Sequence, residues 1–105
     1  MQTVVIKTRE RGIPELPYEI RWNRGQNMAV FATVQQCISY ASGRFGKCRI
    51  IDRTGTLNRY SDVLKRIGTD TLLSLPEDVR RVVQDCNEID TKLRMLEAIA
   101  ETLNA

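Results

Sequence analysis

Apolar side chains recur along the last third of the chain at the 3-4 spacing of an amphipathic helix. With Val79 at heptad position a, the a positions are Val79, Cys86, Leu93 and Ala100, and the d positions are Val82, Ile89, Leu96 and Leu103. All are apolar, which predicts one unbroken helix from Leu75 to Asn104, about 45 Å long at ~1.5 Å per residue. Ser74 and Glu77 read as a capping box at its start, with Pro76 in the first turn, where a missing N–H costs nothing. A helix that outruns a small domain needs something to cover its apolar seam.

The N-terminal pattern has a shorter period. Thr3–Lys7 is β-branched and predicts a strand with a buried centre. Gly12, Pro14 and Pro17 then break the chain. Tyr18–Trp22 alternates, with Tyr18, Ile20 and Trp22 on one face and Glu19 and Arg21 on the other, the mark of a half-buried strand. After the polar turn 23–27, Met28–Phe31 predicts an extended segment pairing back onto it. Thr33 and Gln36 suit a helix N-terminus, and Val34, Cys37, Ile38 and Ala41 share one face of a helix over 33–42, ended by Gly43. Lys47–Asp52 predicts a strand, Arg53–Gly55 a hairpin connection and Thr56–Tyr60 the returning strand. Ser61 then caps a two-turn helix, Asp62–Ile67, stopped by Gly68, and a short link carries Leu72 and Leu73 toward the core.

These elements predict an α+β fold. A small antiparallel sheet of roughly three to five strands carries one helix packed across it, followed by a short helix and the long C-terminal amphipathic helix. A length of 105 residues suits one domain. Charge divides it further. Residues 1–68 carry twelve Lys/Arg against five Asp/Glu, and residues 69–105 carry four against eight. A basic α+β head is therefore joined to an acidic C-terminal helical segment, a polarity that can steer charged partners.

Composition narrows the chemistry. The chain has no histidine, which removes the commonest general base and the usual nucleophile pairs. Cys37, Cys48 and Cys86 are odd in number, form no C-x-x-C pair and fall at apolar positions, so they read as buried thiols rather than a metal or redox site. Asp52 and Asp62 have cheaper explanations as turn and helix-start residues. The peptide SGRFGK leaves a helix end rather than entering a helix start, unlike a phosphate loop. The expectation is no catalytic residue, no cofactor and no metal. The longest apolar run, Met28–Ala32, falls far below the ~20 residues that span a bilayer, and the expected location is cytoplasmic.

Two functional readings remain. The leading one is a small non-enzymatic adaptor or inhibitor that dimerises, or engages a protein partner, through the seam Cys86, Ile89, Leu93, Leu96, Ile99, Ala100 and Leu103. Small residues at position a and Asp85 opposite Asp90 disfavour a parallel coiled coil, so an antiparallel pair or small bundle fits better. Against it stands plain self-coverage, the helix folding onto its own domain. The alternative function is a dimeric nucleic-acid-binding accessory protein, with Arg21, Arg24, Arg44, Lys47 and Arg49 against phosphates. Trp22 and Phe45 accompany these cations, yet Trp22 alternates with core positions and Phe45 suits the lock of a helix end.

Overall fold

A computed structural model describes residues 1–104. The fold is α+β, in the order β1 (Gln2–Thr8), β2 (Tyr18–Trp22), β3 (Asn27–Phe31), α1 (Val34–Phe45), β4 (Cys48–Asp52), α2 (Thr56–Ile67), α3 (Thr69–Leu73), α4 (Glu77–Asp85) and α5 (Ile89–Leu103). It divides into two compact units, Met1–Thr56 and Leu57–Ala105. The packing boundary thus falls ahead of the change in charge balance at 68/69.

In the first unit four strands form one sheet in the order β3-β2-β1-β4. The β2 strand is where the alternation placed it, and β3 pairs back onto it antiparallel, with Ile20 opposite Ala29. The sheet is mixed rather than antiparallel, because β1 pairs antiparallel with β2 but parallel with β4. The cause is α1, which takes the chain from the β3 edge to the far edge, so that β4 re-enters running the same way as β3 and β1. Register puts Ile6 opposite Ile20 and Val4 opposite Ile50. Val4, Ile6, Ile20 and Trp22 are buried, and α1, packed on all four strands, buries Val34, Cys37 and Ala41.

Helix α1 starts as its cap residues require. The Thr33 hydroxyl accepts from the Gln36 N–H at 3.1 Å, and the Gln36 side-chain oxygen accepts from the Ala32 N–H at 2.9 Å. It runs past Gly43 to Phe45, and the left-handed residue that ends it is Gly46, φ 65°, whose N–H donates to the Ser42 carbonyl at 3.0 Å.

Three expectations fail around the second unit, each for a tertiary reason. Thr56–Tyr60 is the start of α2 and not a returning strand. Leu57, Tyr60, Val63, Leu64 and Ile67 repeat at helical spacing, and that period outweighs the hairpin reading of Arg53–Gly55. Asp52 and Thr54 turn the chain into the helix: the Asp52 carboxylate accepts from the Thr54 N–H at 2.9 Å, and the Thr54 hydroxyl accepts from the Thr56 N–H at 3.2 Å. The link 69–73 is itself a helical turn, α3.

The long helix is broken in two. Cys86 (φ −77°, ψ 117°) and Glu88 (φ −98°, ψ 110°) are extended, separating α4 from α5, and Pro76 rather than Ser74 stands at the α4 N-cap. Asp85, Cys86 and Asn87 all have poor helix propensity. The break lets α5 fold back, so that Leu93 (3% exposed), Leu96 (0%) and Ala100 (2%) pack with Val63 and Ile67 of α2 and Val83 of α4. Arg59 on α2 adds a two-pronged ion pair with Glu97 on α5.

Leu96 is the most enclosed large side chain of this unit. Leu96→Ala is expected to destabilise it by about 2–5 kcal/mol through lost burial and a residual cavity. Chemical denaturation followed by circular dichroism measures this; a loss under about 1 kcal/mol would contradict the packing described.

Candidate functional site

Of the predicted seam, Leu93, Leu96 and Ala100 are core residues of their own unit and are unavailable to a partner. Cys86 lies in the α4–α5 break and Ile89 opens α5, both half-buried. Ile99 is likewise partly buried against the core, and Leu103 is 50% exposed. The structure adds two residues outside that seam: Val79, 37% exposed, and Val82, 57% exposed. A cavity of about 350 Å³ lined by Val79, Val82, Met95 and Ile99 adjoins one of about 280 Å³ lined by Leu75, Val79, Ile99 and Leu103. Sharing Val79 and Ile99, they form one open apolar groove between α4 and α5.

A further cavity of about 240 Å³ lies among α2, α3, α4 and α5, with Leu64, Leu72, Val83 and Leu96 in its walls. Its two cations are engaged: Arg80 donates to the Leu73 carbonyl at 2.9 Å, and the Lys92 ammonium sits 5.9 Å from the Tyr60 ring centroid. Asp52 is likewise engaged in the turn before α2. Among the described residues no group of His, Cys, Asp or Glu is placed to hold a metal ion, and no helix is long and apolar enough to cross a membrane. Cys37, Cys48 and Cys86 form no disulfide.

The candidate basic residues have distinct surroundings. Arg21 is a structural cation. Its guanidinium bonds the carboxylate of Glu19, which is only 5% exposed although the alternation had turned it to water, and also donates to the Gly25 carbonyl at 3.0 Å. Arg44 lies over Trp22 at 5.1 Å and over Phe45 at 5.6 Å from the ring centroids. Trp22 itself is 8% exposed and packs against Tyr40 and Phe45, so it belongs to the core and offers no ring to a ligand. Arg24, Lys47 and Arg49 are exposed.

Arg24 is also held in an unusual backbone state. Asn23 (φ 55°), Arg24 (φ 57°) and Gly25 (φ 82°) are consecutive left-handed residues in the β2–β3 turn, closed by the Gln26 N–H on the Asn23 carbonyl at 3.1 Å. Glycine takes this conformation freely and asparagine tolerates it, but arginine pays about 1–2 kcal/mol. Compared with known protein families, curated proteins and solved structures, the chain matches none.

The two arginines of this hairpin carry opposite expectations. Arg21→Ala should cost about 1–3 kcal/mol, because it leaves the buried Glu19 carboxylate without its partner. Arg24→Gly should be neutral or stabilising by up to about 1 kcal/mol, since relief of the left-handed backbone outweighs the added chain entropy. Urea midpoints of the two variants test both, and a destabilising Arg24→Gly would refute the turn geometry.

Proposed function

We propose that the chain is a small, non-enzymatic cytoplasmic interaction module that pairs with a second copy of itself through the α4–α5 groove. The exposure of Val82 and Leu103 in the walls of the groove carries this reading. Large apolar side chains gathered on one face of a small unit need a cover. Val82 and Leu103 line this groove together with Val79 and Ile99, so its exposed apolar side chains lie on one surface. That combination suits a two-fold, self-complementary contact. The absence of histidine and the structural engagement of Asp52 support a non-catalytic role, and three cysteines without a disulfide suit a reducing compartment.

Light scattering after size exclusion, at ~0.1 mM protein, should return a dimer, because a dissociation constant of ~10 μM would already leave most chains paired. Val82→Asp and Leu103→Asp should each return a monomer with unchanged circular dichroism, both side chains being exposed. A monomeric unsubstituted protein, or a dimer indifferent to both substitutions, would sink the proposal.

A further inference from the structure

We infer that one end of the sheet is a binding site for the phosphate backbone of a nucleic-acid duplex, read without regard to sequence. Topology gathers there cations that are scattered in the chain. Val5 pairs antiparallel with Arg21, so β1 begins where β2 ends, and Gln2 pairs parallel with Cys48, so β4 begins there too. The β2–β3 turn, 23–26, lies at the same end because Trp22 pairs with Asn27. Arg44, stacked over Trp22, brings the last turn of α1 to it as well. Arg24 in the turn, Arg44 on α1, Lys47 before β4 and Arg49 within β4 therefore border one end, and all are exposed.

That end carries no acidic side chain of its own unit. Between Glu19 and Asp52 the sequence has no Asp or Glu, and Glu19 is committed to Arg21. The remaining acids of the unit, Glu10, Glu15 and Asp52, belong to the opposite end, where Thr8 pairs with Tyr18 and Ile6 with Asp52. The unit as a whole has nine Lys/Arg against four Asp/Glu. Arg24 keeps its left-handed backbone at the tip of this cluster, in a turn where glycine would relax it.

Two observations select a duplex over a single strand. Single-stranded sites pair cations with stacking rings, and here Trp22 is buried with Arg44 laid across it. The spacing also fits. Strands ~4.8 Å apart put the β2–β3 turn and β4 roughly 10–14 Å from one another, comparable to the ~12 Å width of the B-DNA major groove, so cations at the two edges reach phosphates on its two sides.

The test is fluorescence anisotropy with a labelled mixed-sequence DNA duplex, in the Val82→Asp background so that one chain is counted whether or not the protein pairs. Four phosphate contacts give a slope of log affinity against log salt of about −3.6, or about a 150-fold loss between 50 and 200 mM salt. Arg24→Gln with Lys47→Gln should bring the slope to about −1.8, about a twelvefold loss. The control pair Arg11→Gln with Arg53→Gln removes the same charge from the opposite end and should leave the slope unchanged. No salt-dependent binding would overturn the inference. So would equal effects of the two pairs, which would mean net charge alone. So would tighter binding to a single-stranded oligonucleotide or to anionic phospholipid vesicles.

Discussion

The second unit depends on covering the apolar stripe of α5. Leu93, Leu96 and Ala100 lie on one side of a 15-residue helix and must leave water. A small unit can supply that cover only by bringing α2 and α4 against the stripe. An unbroken helix through residue 86 would carry Val83 away from Leu96 and spread the stripe along ~45 Å. Three non-helical residues between α4 and α5, with Cys86 and Glu88 extended, resolve the conflict at the cost of a few helical hydrogen bonds. The core closes, and the apolar positions that do not fit inside it, Val79, Val82 and Leu103, are left outside.

The sheet unit solves a different problem with a single helix. Its strands carry apolar residues at alternate positions, and α1 covers one face through Val34, Cys37 and Ala41. Because α1 spans from one edge strand to the other, β4 joins in parallel and the starts of β1 and β4 fall together. The gathering of cations at one end is thus a consequence of how the crossover closes the sheet. Burial of Glu19 belongs to the same economy: an acid in the middle of a strand is tolerated because Arg21, two residues on and on the same face, satisfies it.

Much of the first unit was legible. The alternation of Tyr18–Trp22, the Thr33 and Gln36 cap and the α1 stripe are local signals, and local chemistry decided them. Parallel pairing of β4 was not, since it hinges on a long-range crossover that leaves no mark on either strand. The start of α2 is marked only over a longer span, by the stripe from Leu57 to Ile67, while Thr56–Tyr60 alone carries no helical signal. Of the α5 seam, Leu93, Leu96 and Ala100 are covered within their own unit, and a heptad pattern looks the same whether its cover is internal or foreign. The weak helix formers Asp85, Cys86 and Asn87 were the available clue to the break. For the cationic end, the signal was the acid-free run from Ile20 to Ile51.

The two candidate surfaces rest on unlike physics. The α4–α5 groove would act through removal of apolar area from water, a contribution that salt does not weaken and that tolerates no charge. The cationic end would act through counterion release, which salt abolishes and apolar substitution leaves alone. Their residues come from separate compact units and share no side chain. If both operate, pairing two chains would double the number of phosphates each assembly can engage, and affinity for a long duplex would rise by avidity rather than by any new contact.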